Sequence, residues 1–424
     1  MKKKKLFPII AIASLLALTS CSLFNDDDIA IHNHYNPEPF TPAPEPGSET
    51  AGGVTSTTND KVPNALYFKN VAYDTNSAIA NTYATGKAHH TEYNVNGGED
   101  YYATKATNNY DIYIPKDISK TTKHTVLLFI HGGAWVSGFK TDVNPYIQEF
   151  ANKGYITATI KYTLLKREMD DASRSIFRDL DEIDACIKSI KSLLAELEFD
   201  TTKTNLVLGG ASSGAHLAML YAYSRGNESV IPLRFVVDAV GPTNIKPAAW
   251  KKFVTSDETV RASGITKDKI DAQVALGNVT AMPVAGEGYD WNDYQTMRIA
   301  NGMCGLPYTL SDVEASSSDR NHIDNPNAAS TSMTKVNGGE DQLSVTYWMN
   351  KTSFKPSIIC AYAGNDSIVG INQYATLQPV MEDNSITHEL FYFPESDHQD
   401  ITREANQTVY DEFMNKIDEW IQAL

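Results

Sequence analysis

Ser212 stands in Gly210-Ala211-Ser212-Ser213-Gly214, between one apolar run, "NLVLGG", and another, "GAHLAML". The first reads as a strand and the second as a helix, so the serine lies on the turn joining them. A serine hydroxyl is a weak nucleophile unless a base takes its proton and a third group orients that base. Two residues far down the chain fit these roles. Asp366 in "YAGNDSIV" and His398 in "FPESDHQD" each follow directly on a strand-like run. His398 can take the Ser212 proton and return it to a leaving group, while Asp366 holds the imidazole tautomer. Acyl transfer also needs N–H donors aimed at a developing oxyanion. "FIHGGAW", Phe129 to Trp135, ends an earlier strand with a glycine turn suited to that task. Gly133, Ala134 and Ser213 are the expected donors, Gly132 shapes the turn, and His131 and Trp135 fix the loop. Asp397 rivals Asp366 but adjoins His398, and adjacent residues rarely face each other. His216 rivals His398 as base, but lies one helical turn past Ser212 and is expected to point away, in a structural role.

These groups must be carried by elements that bring them to one edge. "HTVLLFIHGG", "YITATIKYT", "TNLVLGG", "RFVVDAVGP", "PSIICAYAGND" and "HELFYFPES" are short apolar or β-branched runs of the kind found in buried parallel strands. "ALYFKNVAY" and "YDIYIP" alternate as half-exposed edge strands do. Residues 172–198 predict a helix, with Ile176, Leu180, Ile183, Ile187, Ile190, Leu194 and Leu197 recurring at steps of three or four. A last helix carries Val409, Phe413, Ile417, Ile421 and Leu424 on one face. Alternating strands and helices predict an α/β fold with a mostly parallel sheet covered on both sides. Residues 243–352 interrupt the alternation and read as a cap inserted over the carboxyl edge of the sheet, where ligands of open α/β sheets bind. Trp250, Tyr289, Trp291, Tyr294, Tyr347 and Trp348 in that insertion offer faces for sugar or aryl rings, or fill the core of the cap.

From about residue 105 onward, "HGGAWVSG", "GGASSGAHLA", "GPTN", "GNDSIV" and "DH" together resemble the α/β-hydrolase superfamily. The similarity is to its esterase/lipase branch, the carboxylesterases and hormone-sensitive-lipase-like enzymes, and within it to bacterial acetyl-xylan and feruloyl esterase-like lipoproteins. The resemblance implies a parallel sheet flanked by helices, with the cap between strands 6 and 7. It implies a serine hydrolase cleaving carboxylic esters through an acyl-enzyme, with a catalytic triad of Ser212, His398 and Asp366 and an oxyanion hole, and no cofactor or metal. Acetyl or feruloyl groups on polysaccharide are the favoured esters. The chain departs from the pattern at Ala134, where lipolytic relatives often carry a third glycine, and at Asn244, where many carry Asp. An amidase or peptidase of the same fold, and a catalytically silent surface binding lipoprotein, remain open as alternatives.

The 424-residue chain has a net charge of −16, from 52 acidic and 36 basic residues. That balance argues against nucleic acid or an anionic membrane surface as a partner, since both need a basic patch. "MKKKK" and the apolar "LFPIIAIASLLAL" form a basic n-region and an h-region too short to span a membrane. With "LTSC" they resemble a bacterial lipoprotein signal over residues 1–20, which implies lipidation of Cys21 and anchoring to the cell envelope. The acidic run after Cys21 resembles the export signal of some surface-exposed lipoproteins. Residues 21–60 are rich in Pro, Gly, Ser, Thr and acid and read as a disordered tether, leaving 61–424 as the folded domain. His32 and His34 lie on that tether without a third ligand and are read as solvated. Cys186, Cys304 and Cys360 make no disulfide framework, and Cys186 and Cys360 are expected in the core.

Overall fold

The computed structural model describes residues 47–73, 108–133, 135, 138–164, 176–244, 254–255, 281–282, 340–366 and 368–424. Eight strands make one sheet: β1 (Ala65–Ala72), β2 (Asn109–Pro115), β3 (His124–Ile130), β4 (Ile156–Ile160), β5 (Thr204–Ala211), β6 (Leu233–Ala239), β7 (Ser357–Ala363) and β8 (His388–Phe393). Their order is β1-β2-β4-β3-β5-β6-β7-β8. Strands β3 to β8 run parallel, while β2 is antiparallel to β4 and β1 to β2. Every residue of β3 and β4 is buried, as expected of parallel strands covered on both faces.

Side-chain alternation along β3 splits the core into two layers. Val126, Leu128 and Ile130 face one layer with α2 (Ile176–Glu196), α3 (Ser213–Arg225), α4 (Val345–Lys351) and α5 (Asn372–Asp383). Leu127 and Phe129 face the other, with α1 (Asn144–Asn152) and α6 (Gln407–Gln422). Cys186 and Cys360 are buried free thiols, as expected.

Three expectations change. The tether predicted to reach residue 60 gives way to folded chain by Gly47: Thr50–Ala51 pairs with Val54–Thr55, Ala51 and Ser56 are buried, and the Gly52 N–H donates to Glu196 Oε2 at 2.7 Å. Composition pointed to disorder there, but the contacts that order the segment come from distant β1 and α2. The alternation in "YDIYIP" does not mark a half-exposed edge, because β2 lies inside the sheet with both faces buried. Its polar face is satisfied internally. Lys140 Nζ donates to Asp111 Oδ1 at 2.6 Å and to the side-chain oxygens of Asn70 and Asn109, and Tyr67 Oη donates to Asp111 Oδ2 at 2.9 Å. Finally, the region read as a cap ends in α4, which belongs to the body of the domain. Trp348, half-buried against the core, donates through Nε1 to the Gln342 carbonyl at 2.9 Å. Trp250, Tyr289, Trp291 and Tyr294 lie outside the described residues.

The chain leaves the sheet after β6 and returns beside its exit. Thr346 N–H donates to Thr243 O at 3.4 Å, and Ser344 Oγ donates to Asn244 Oδ1 at 3.3 Å. Buried Gln373 at the start of α5 braces the exit, its Oε1 accepting from the N–H groups of Thr243 and Asn244 at 2.7 and 3.0 Å.

Candidate active site

The glycines around Ser212 are demanded by packing of backbone on backbone. A Cβ added to Gly214 would lie 2.1 Å from the Ile130 carbonyl oxygen, and one added to Gly210 would lie 2.4 Å from the Gly214 carbonyl carbon. The first turn of α3 therefore rests directly on the end of β3. Ser212 itself has φ +54° and ψ −124°, a conformation that costs an L-residue energy and persists only when its surroundings fix it. The Ser212 N–H donates to Ala239 O at 2.8 Å, and Ser212 O accepts from the His216 N–H at 3.0 Å.

The sequence-predicted acid and base meet this serine. His398 Nε2 lies 2.8 Å from Ser212 Oγ, and His398 Nδ1 lies 2.6 Å from Asp366 Oδ2. The other carboxylate oxygen, Asp366 Oδ1, accepts from the N–H groups of Ile368 and Val369 at 2.8 and 2.7 Å, leaving Oδ2 for the imidazole. A carboxylate accepts, so Nδ1–H donates to it and Nε2 offers a lone pair to the Ser212 hydroxyl. The loops bearing acid and base are stitched together: Asn365 N–H donates to Ser396 O at 2.9 Å, and Asn365 Nδ2 donates to Glu395 O at 3.0 Å. Asp366 is buried and the His398 side chain is 13% exposed, so a proton can pass between Ser212 and His398 while the acid stays out of water. The rival Asp397 is exposed and accepts from the Gln399 N–H instead.

Beside Ser212 lies the turn after β3. A Cβ on Gly132 would come within 3.1 Å of Ser212 Cβ, and Gly133 has φ +115°, where a side chain is poorly tolerated. Ser213 is the first residue of α3, and its N–H has no carbonyl of its own helix to reach. Ala134 lies outside the described residues. The turn is steadied by rings, as expected of His131 and Trp135. His131 is buried and stacked on Tyr162 at 4.4 Å, its Nδ1–H donating to Gly132 O at 2.8 Å, and Tyr162 Oη donates to His131 O at 3.2 Å. Burial lowers the His131 pKa to about 4, so the ring is neutral. Trp135 meets His216 edge to face. His216 is buried and its Nε2–H donates away from Ser212, to Leu343 O at 2.7 Å.

Sequence reasoning missed three supports of this edge. Lys140, beyond the turn after β3, is held in the buried Asp111 cluster; burial lowers its pKa, and the Asp111 charge opposes that shift. Gln373 braces the chain after β6. Asp238 accepts from Tyr362 Oη at 2.8 Å and from the Gly241 N–H at 2.8 Å, shaping the turn that flanks α3. An Asp inside the strand run "RFVVDAV" was the one available signal for the last.

Comparison with known proteins follows the same outline. Residues 110–278, about two fifths of the chain, match the BD-FAE family model. The non-reducing polyketide synthase adrD of Penicillium rubens is 25% identical over 146 residues, which are 34% of this chain and 6% of that protein. The chain thus spans about 6% of the length of the curated relatives it matches first. A truncated carbohydrate esterase from gut microbiota superposes with a TM-score of 0.50 at 14% identity, covering 86% of this chain and 99% of that one. A bacterial heroin esterase gives 0.47 at 16% identity, covering 74% and 80%. The chain has the α/β-hydrolase fold, and across residues 110–278 it matches BD-FAE, an esterase family of that fold.

Proposed function

We propose that the protein hydrolyses carboxylic esters through an acyl-enzyme on Ser212. The observation that carries this reading is the unbroken hydrogen-bond chain from Asp366 through His398 to Ser212. As Ser212 Oγ attacks the ester carbonyl carbon, its proton passes to His398 Nε2, and the imidazolium is held by Asp366. The carbonyl π electrons move onto oxygen, where the N–H groups of Gly133, Ala134 and Ser213 receive them. Each such donor is worth about 10²–10³ in rate. Collapse of the intermediate breaks the bond to the alkoxy oxygen, which leaves with the proton from His398. Water, deprotonated by His398, then releases the acid by the same steps in reverse order.

Acetyl or feruloyl groups on polysaccharide are the proposed substrates. The family match and the carbohydrate esterase of like fold favour that class. In this reading the insertion after β6 caps the site, and Cys21 carries lipid that holds the domain at the envelope through the stretch before Gly47.

The test is hydrolysis of p-nitrophenyl acetate by the wild type and Ser212→Ala, followed by acetylated xylan and methyl ferulate. The variant is expected to lose about 10⁴ or more in kcat with its fold intact by circular dichroism. Equal rates in both proteins would remove Ser212 from the mechanism.

A further inference from the structure

Among the buried polar side-chain atoms without a hydrogen-bond partner among the described residues are the indole Nε1 of Trp135 and Nδ1 of His216, beside the turn after β3. Their rings touch at right angles, with centroids 5.3 Å apart. Burial lowers the His216 pKa to about 4, so at neutral pH the ring carries one proton. That proton is on Nε2, because the Leu343 carbonyl oxygen 2.7 Å away can only accept. Nδ1 therefore presents a lone pair, and the indole Nε1–H is a donor only. An unpaired donor and an unpaired acceptor thus sit in touching buried rings, each bearing its desolvation cost. A bond between them would satisfy both at once. Trp135 also has φ +62°, a left-handed conformation that bulky residues seldom hold without a functional reason.

The position of His216 gives this pair a use. It lies on α3, four residues past Ser212, and its own N–H is bonded to the Ser212 carbonyl. Its backbone is thereby tied to that of Ser212, while Trp135 stands two residues past Gly133. We propose that His216 is a positioning residue for the oxyanion turn: as negative charge develops beside Ser212, the Trp135 indole N–H closes on His216 Nδ1 and locks the turn's donors in place. This rests on the esterase reading above. Through Nε2 the same ring also holds Leu343, at the returning end of the insertion.

A merely structural contact makes the opposite forecast. Trp135→Phe keeps an aromatic ring and deletes an unsatisfied donor, which would leave kcat unchanged. The proposal expects kcat for p-nitrophenyl acetate to fall about five- to tenfold with KM within about twofold, since the bond forms only in the transition state. His216→Gln can still donate to Leu343 but offers no acceptor at the place of Nδ1; it should show the same loss, and the double variant no more than either single one. Unchanged kcat in Trp135→Phe, or losses that multiply in the double variant, would overturn the pairing.

A second readout needs no variant. In the full chain labelled with ¹⁵N, the Trp135 indole resonance should move downfield and exchange more slowly once Ser212 is phosphonylated by a p-nitrophenyl phosphonate. Complete labelling with an unmoved indole resonance would overturn the pairing and leave the esterase reading intact. Failure of Ser212 to take the label would remove both.

Discussion

The turn after β5 and the turn after β3 do similar work by different physical means. Each follows a parallel strand, each uses glycine, and each delivers groups to the same point beside Ser212. The β5 turn is set by main chain against main chain: Gly214 rests on the carbonyls of Ile130 and His131, and a Cβ there would fall within 2.4 Å of both oxygens. The β3 turn has such a contact too, since a Cβ on Gly138 would fall 2.3 Å from Gly132 O, but it adds side chains: His131 on Tyr162, Trp135 on His216 and Lys140 in its buried cluster. A backbone contact has no rotamer to change, so it can hold the Ser212 strain rigidly. Rings and a long side chain can adjust, which under the proposed esterase mechanism suits a turn whose donors would meet charge that exists only fleetingly.

The largest effect that would sharpen this contrast is Gly214→Ala. A Cβ driven into the Ile130 carbonyl forces α3 off the sheet, with an expected loss of at least about 3 kcal/mol in stability, read by denaturant unfolding. An unchanged midpoint would show that the turn after β5 yields as easily as its neighbour. Gly133→Ala is the converse. At φ +115° a Cβ strains the backbone of the turn, so under the proposed mechanism kcat should fall about 10²-fold with only about 1–2 kcal/mol of stability lost. If its loss of stability matched that of Gly214→Ala, the two turns would not differ in the way described.

A pH-dependent effect concerns the support beside α3. A Cβ on Gly241 would lie 2.5 Å from Asp238 Oδ1 and 2.7 Å from Ala215 Cβ, so this carboxyl shapes the flank of the nucleophile helix. Burial raises the Asp238 pKa from 3.8 to about 7, against the hydrogen bond from Tyr362. The folded state therefore keeps a proton that the unfolded chain gives up. Its contribution to stability is complete below about pH 3.8 and is lost as pH rises through about 7. Across that window the melting temperature of the wild type should fall relative to Asp238→Asn, which does not titrate. Parallel curves for the two proteins would show that Asp238 is charged throughout.

The contrast also explains what could be read from the sequence. Runs such as "HTVLLFI" and "TNLVLGG" declared their strands because parallel strands are apolar on both faces, and the glycines flanking Ser212 declared a turn because no other residue fits. Asp366 and His398 were legible from their place just past strands. The supports were not. No local pattern joins Lys140 to Asp111, and only the fold puts them together across 29 positions. Gln373 braces Thr243 from 130 residues away, and nothing local in either segment marks the pair. Residues 47–60 were misjudged for the same reason, since Ala51 is buried by partners far along the chain. His216 was assigned a structural role, yet its neighbours Trp135 and Leu343 come from segments whose meeting no spacing reveals.

The central claim is that Ser212 is the nucleophile. The most direct test is to treat the purified protein with a p-nitrophenyl phosphonate, digest it and locate the adduct by mass spectrometry. The account predicts one phosphonate, on Ser212, formed as activity is lost and absent when Asp366 is replaced by Asn and the imidazole is held in the wrong tautomer. A label on another residue, or full loss of activity with Ser212 unmodified, would contradict it.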